Sequence, residues 1–232
     1  MSQSPLCMRP KWRGRPECAV CPVRNTVLFA DLSEEDLSAL LMPVTNYLYE
    51  PGSILFDQGE TATALFSLRT GVVKVETFDE NGDVTVLRLL GPGAVAGLET
   101  IIDQGEPYRC RVTTLSPLDA CRIPRNVARR LMKEHPEHYR VVVRLWQHHL
   151  EAADEAMLLF RKGELRERLL HVLRVLSGFG PGDSSFHLPA GADLRALTGA
   201  TRSAISRVMA EYKREGILQQ VDGSTYRLLT EE

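Results

Sequence analysis

No stretch of this sequence is apolar for long enough to cross a membrane. Its start, "MSQSPLCMRPKWRG", has no hydrophobic region of the kind a secretory signal carries, and Leu6-Cys7 alone does not make a lipoprotein cleavage site. Charge of one sign is equally scarce. With 28 Lys and Arg against 30 Asp and Glu the net charge is −2, so any surface that attracts nucleic acid has to be local. Cysteine is sparse and odd in number, five in 232 residues, which argues against a secreted disulfide scaffold. No paired base, nucleophile site or phosphate loop stands out, which leaves a cysteine-based metalloenzyme as the weakest reading. These absences predict a soluble cytoplasmic protein with no membrane partner, long enough for one large or two modest domains.

What cysteine there is lies in a pattern. Residues 7–24, "CMRPKWRGRPECAVCPVR", hold three thiols and five basic residues in a stretch with little apolar content. Such an arm has no core of its own. In a reducing compartment, clustered thiols read as metal ligands or redox sensors.

The rest divides by pattern. "LSEEDLSALL" (Leu32 to Leu41) predicts a short amphipathic helix, with Ser33 as cap and Leu37, Leu40 and Leu41 on one face. From Asn46 to Ile123 the sequence shows short alternating segments broken by Pro51-Gly52, Thr70-Gly71 and Asn81-Gly82, the last a pair suited to a tight hairpin. Seven or eight such strands predict an antiparallel sandwich or roll. The pattern turns helical around Asn126. After Pro136, Tyr139, Val143, Trp146, Leu150, Ala153, Met157 and Phe160 recur in steps of four and three, the spacing of a coiled-coil seam. Charged flanks favour the same helix of a second copy as partner, over packing within the chain.

"ELRERLLHVLRVLSGF" predicts another helix, and beyond a loop comes "LPAGADLRALTGATRSAISRVMAEYKREGILQQVDGSTYRLL". It reads as a helix over Asp193 to Leu197, a glycine turn at Gly199 and a second helix from about Arg202 to Glu215. A hairpin with an Asp222-Gly223 turn follows. That is a winged helix-turn-helix, whose second helix enters the major groove of double-stranded DNA. Arg202, Ser203, Ser206 and Arg207 then face base edges, while Thr201, Lys213 and Arg214 suit phosphates. The competing reading is a solvated surface helix in a protein-binding domain.

With these motifs in place, the chain from about residue 27 to 232 resembles the CRP/FNR superfamily of bacterial transcription regulators. The carriers are "LFADLSEEDLSAL", "YEPGSILFDQGE", "LFSLRTGVVKVE", "LLGPGAVAGLE" and "ADLRALTGATRSAISRVMAEYKREGIL". The resemblance implies an α+β chain in four parts. An arm (1–26) precedes a cyclic-nucleotide-binding-like β-roll (27–124), a dimerisation helix region (125–162) and a winged helix-turn-helix (163–232). It implies a homodimer that binds DNA and works with RNA polymerase.

The resemblance also bears on the sensor. Nucleotide-binding members place an Arg-Ser pair and a Gly-Glu pair in the roll; here Tyr108-Arg109 stands at the first, and Gly97 is followed by Leu98 with Glu99 one place late. Cyclic AMP is therefore disfavoured. The oxygen-sensing branch ligates a 4Fe–4S cluster with three arm cysteines and one in the roll. Carried over, the ligands are Cys7, Cys18, Cys21 and Cys121, with Cys110 as the alternative to Cys121. The spacing C-x10-C-x2-C is wider than in the better-known oxygen sensors. A zinc site, a thiol–disulfide switch, a small ligand in the roll, or haem at His148 and His149 remain alternatives. Two further departures stand out. Ser203 replaces the acidic residue usual in the recognition helix, so the family's usual half-site is not assumed. Ala153 stands where oxygen sensors face two carboxylates across the dimer axis, which predicts a dimer that persists without a cluster.

Overall fold

The computed structural model describes residues 10–15, 18–24, 28–30, 32–33, 35–36, 44–102, 105–180 and 182–229. The roll is two antiparallel sheets. One runs in the order β1 (Lys11–Gly14), β2 (Thr45–Tyr49), β9 (Leu118–Pro124), β4 (Ala64–Thr70), β7 (Val95–Ala96). The other runs β3 (Ile54–Phe56), β8 (Arg111–Thr114), β5 (Val73–Phe78), β6 (Val84–Leu90). Between them lies an apolar filling that includes Phe56, Phe66, Leu68, Val75, Tyr108 and Leu118.

The glycine turns are where expected, but most do not join paired strands. Pro51-Gly52 separates β2 from β3, and Gly71 separates β4 from β5; each turn carries the chain from one sheet to the other. At Gly71, with φ of 85°, a Cβ would lie 2.3 Å from the Pro117 carbonyl oxygen, so only glycine fits. Asn81-Gly82 does lie in a β5–β6 hairpin. The last pair is Phe78 with Val84, so the connection is five residues rather than a tight two, held by Asp79 Oδ1 accepting from the Asn81 and Asp83 amides.

A short helix α1 (Glu99–Ile102) follows β7, and α2 (Arg125–Glu134) follows β9. A 3-10 turn (Pro136–His138) leads into α3 (Tyr139–Leu159), 21 residues long. One face of α3 buries Val141, Val142 and Leu145 in a core shared with Leu28, Phe29, Leu65, Leu98, Cys121 and Leu131. Ser33 does cap as predicted, its Oγ accepting from the Asp36 amide at 3.1 Å. Leu37, Leu40 and Leu41 lie outside the described residues.

The carboxy-terminal unit comprises α4 (Leu165–Gly178), β10 (Ser185–His187), α5 (Gly191–Thr198), α6 (Arg202–Arg214), β11 (Leu218–Asp222) and β12 (Thr225–Leu228). The stretch read as a loop contains β10, which makes the wing three-stranded in the order β10-β12-β11. Asp222 pairs with Thr225, so the hairpin turns on Gly223-Ser224, one residue later than expected. Its core draws in Val72, Val86, Leu89 and Leu115 from the roll. Burial is therefore continuous from the roll to the carboxy-terminal unit. Among the described residues no helix is long and apolar enough to cross a membrane.

Candidate cysteine centre and nucleic-acid interface

The arm is not the structureless tether its composition suggested. Lys11, Trp12 and Gly14 pair with Leu48, Tyr47 and Asn46, which makes β1 the edge strand beside β2. Its Lys and Arg side chains suit an edge, since charge discourages further strand addition. Arg13 also reaches Asp119 of β9 at 3.4 Å. Beyond it, a 3-10 turn over Cys18–Val20 closes with the Cys21 amide donating to the Cys18 carbonyl at 3.3 Å. Cys18 and Cys21 pack on the core that contains Cys121.

Cys121 sits in β9 opposite Asn46 of β2 and Ser67 of β4, and Asn46 Nδ2 lies 3.8 Å from its sulfur. Burial pushes its thiol up to about 12; Arg69 opposes this, while the charges of Cys18 and Cys21 add to it. Cys18 is also raised, by burial first and then by Cys21, against Arg69 and Arg24. The three thiols thus share one electrostatic neighbourhood with two guanidiniums beside it. Arg69 is anchored there by Asp119 at 3.5 Å. Cys7 lies outside the described residues.

Cys110 is elsewhere. It borders a cavity of about 340 Å³ with Leu87, Arg88, Glu99, Arg109 and Trp146. Burial, followed by Glu99, pushes it up to about 11. Tyr108, which stands where the nucleotide-binding pattern has arginine, turns inward instead. Its ring stacks on Phe56 with centroids 3.9 Å apart, and its hydroxyl donates to the Ala64 carbonyl. Arg109 points outward and pairs with Glu106 at 2.8 Å.

In the reader, Gly199 takes φ of 67° and ends α5, and Thr201 begins α6 by accepting from the Ala204 amide at 3.3 Å. Thr201 is thus a helix cap. Ile205, Val208, Met209 and Tyr212 bury one face of α6, which leaves Arg202, Ser203, Ser206 and Arg207 exposed together on the other. Arg214 is exposed further along. Lys213 is partly committed: its Nζ donates to Gln220 and to the Tyr226 hydroxyl, both at 3.3 Å, and lies over the Tyr226 ring.

Along α3, Tyr139, Val143, Trp146, Leu150 and Met157 are 38–65% exposed, a continuous apolar stripe opposite the face that α3 buries. Ala153 lies on it, half-buried. Phe160 does not belong to the stripe. Helix α3 ends at Leu159, and Phe160 turns into the core around Leu169, 3% exposed. His149 faces inward, where burial pulls its pKa down to about 4; Arg88 and His148 add to this and the Val95 carbonyl opposes it. A buried imidazole against an arginine suits a packed core residue, whereas His148 beside it is exposed.

Sequence reasoning missed β1, β10 and one ion pair that joins roll to reader. Lys74 of β5 meets Glu76 at 2.6 Å and Asp193 of α5 at 2.9 Å. No local pattern signals that contact.

A β-roll, a long helix with an exposed apolar stripe and a winged helix-turn-helix are together the parts of a DNA-binding regulator. Comparison with known proteins points the same way. Residues 48–135 match the cyclic nucleotide-binding domain. Over 208 residues the chain is 25% identical to the anaerobic regulatory protein of Aggregatibacter actinomycetemcomitans, covering 87% of this chain and 80% of that protein. It is 27% identical over 204 residues to the cyclic AMP receptor protein of Thermus thermophilus, covering 87% and 92%. Its fold is similar to that of FixK2 from Bradyrhizobium japonicum, with a TM-score of 0.68 and 18% identity over 82% of this chain and 94% of that one. Over most of its length the chain is thus similar to regulators of the CRP/FNR type.

Proposed function

We propose that this regulator is a homodimer that binds specific DNA sequences and senses oxygen or redox state through a cysteine-ligated 4Fe–4S cluster. The observation that carries the sensor reading is the seating of Cys18 and Cys21 against Cys121 by the strand pairing of the arm. The donor set fits the group. Cys7, Cys18, Cys21 and Cys121 supply the four thiolates such a cluster takes, and Arg69 and Arg24 offset their negative charge. A single zinc ion fits less well. Zinc–sulfur bonds of about 2.3 Å hold tetrahedral thiolates roughly 3.8 Å apart, and the three described thiols do not all come within 4.8 Å of one another. When bound, the cluster supplies oxygen-labile redox chemistry.

The chain's own residues do the rest. Burial keeps the unligated Cys18 and Cys121 protonated at neutral pH, so metal must displace their protons on binding. β9 carries Cys121 on one side of the roll, and α3 packs into the same core. A change at the thiols therefore acts on the helix whose exposed stripe we assign to the partner copy. Arg202, Ser203, Ser206 and Arg207 read bases, and Arg214 and Lys213 contact phosphate. RNA polymerase is the further partner.

The relatives include both an anaerobic regulator and a cyclic AMP receptor, so a small ligand in the cavity beside Arg88 and Trp146 is the second reading. Against cyclic AMP stands Tyr108, which fills the roll where the phosphate-binding arginine would stand.

The test is anaerobic purification of wild type and single Cys→Ser variants at positions 7, 18, 21, 110 and 121, with iron and sulfide analysis. About four iron and four sulfide per chain, lost in C18S, C21S and C121S but kept in C110S, supports the reading. Iron-free protein overturns it.

A further inference from the structure

The turn between α2 and α3 reads His135-Pro136-Glu137-His138. Its 3-10 geometry eclipses residues three apart, which brings His135 and His138 to one side with ring centroids 5.7 Å apart. Glu137 Oε1 lies 3.3 Å from His135 Nδ1 and 4.0 Å from His138 Nδ1. One ligand atom from each of the three residues falls within 4.8 Å of the others.

His138 is the informative member. It is 4% exposed, and its Nε2 lies 2.9 Å from the Ala30 carbonyl oxygen. A carbonyl only accepts, so Nε2 carries a proton, and in the corresponding tautomer Nδ1 presents a lone pair. That Nδ1 is buried and has no hydrogen-bond partner. Buried polar atoms left unsatisfied are rare in native proteins and call for an explanation. A metal-ligating histidine characteristically donates its other ring N–H to a carbonyl or carboxylate, which fixes its tautomer and orientation. Ala30 does this for His138.

We propose that His135, Glu137 and His138 form a binding site for a divalent transition-metal ion of the zinc type, separate from the cysteine centre. The donor chemistry sets the class. Two imidazole nitrogens and one carboxylate suit zinc and its neighbours, whereas calcium needs six to eight oxygens. Arg140 and Arg144 border the adjoining cavity of about 330 Å³, so an ion held there by charge alone would be repelled. Three protein ligands leave the fourth tetrahedral position to water from that cavity. Metal at Nδ1 strengthens the Nε2–H bond to Ala30 and so fastens the segment after the arm to the head of α3. The site stands whether or not the cysteines carry a cluster.

The test uses the full chain with all five cysteines replaced by serine, so that thiolates contribute nothing to binding. Zinc is titrated against a competing chelator. The expected result is one equivalent bound, with His135→Ala and Glu137→Ala each weakening binding at least tenfold while leaving circular dichroism unchanged. In wild type, the same substitutions remove one equivalent. Cobalt in that site shows no thiolate charge-transfer band. A cysteine-free chain that folds but binds no zinc overturns the proposal, as does zinc binding indifferent to both substitutions. If the cysteine-free chain does not fold, the wild-type comparison decides alone, and unchanged stoichiometry and affinity there overturn it.

Discussion

Replacing Lys74 by methionine removes an ammonium that ties the roll to the carboxy-terminal unit. Lys74 is 12% exposed and Glu76 only 4%, while Asp193 is 22% exposed and can regain water. Without Lys74, the Glu76 carboxylate keeps the Thr113 hydroxyl at 2.9 Å as its remaining hydrogen bond in the structure. Leaving one buried charge unpaired costs about 3–5 kcal/mol, so K74M loses about that much, compared at fixed protein concentration so that any self-association contributes equally. Adding Glu76→Gln removes the stranded charge and recovers most of the loss, since replacing a whole buried pair by neutral groups is often nearly neutral. Asp193→Asn alone costs about 1 kcal/mol or less, yet it lowers hydrogen-exchange protection over Gly191–Thr198 in particular. The Glu76 and Asp193 carboxylates outweigh burial and raise the Lys74 pKa above its ordinary 10.5. Its contribution is therefore fully present below that pH and is lost as pH rises through the folded value. Urea unfolding of the four proteins tests this. K74M within 1 kcal/mol of wild type, or a double variant no better than K74M, would refute the reasoning.

Other outcomes follow from the same structure. His149 titrates near 4 when folded and near 6.5 when unfolded, so its neutral ring contributes stability above 6.5 that is lost as pH falls toward 4, at most about 3 kcal/mol; His149→Gln should flatten denaturant midpoints measured from pH 7 to 4.5. Arg207→Ala should cost about 1–3 kcal/mol on a selected duplex and relax one base position, whereas Lys213→Ala should weaken all duplexes alike and lower the salt slope, both read by fluorescence anisotropy. Leu150→Asp places like charges across the α3 stripe and should yield monomers by sedimentation, while cluster-free wild type should stay dimeric at micromolar concentration; wild-type monomers there would refute the role given to Ala153.

Local chemistry made much of this molecule legible. Gly199 and Thr201 bracket the turn between two helices as the sequence suggested, and Gly71 sits where a Cβ would strike the Pro117 carbonyl. The spacing along α3 identified its exposed stripe down to Met157. It failed at Phe160 because periodicity carries no information about where a helix stops, and the core around Leu169 captures that ring. β1 was hidden because an edge strand of four residues, Lys-Trp-Arg-Gly, needs only a neighbour with free backbone groups, and no hydrophobic alternation marks it. The Lys74–Asp193 contact and the Ala30–His138 bond join segments far apart in the chain, so neither could be read locally. Cys121 had a place in the pattern, but its pairing with Asn46 and its closeness to Cys18 come only from the fold.

The most direct measurement is DNA affinity across a change of cluster state. Anaerobically purified protein is used to select duplexes from a random pool, and binding is then measured by anisotropy before and after air bleaches the visible band. The expected result is at least a tenfold change in affinity, absent in C121S and retained in C110S, with the sedimenting species dimeric throughout. Equal affinity in the loaded and bleached states, or a change that survives C121S, would contradict it.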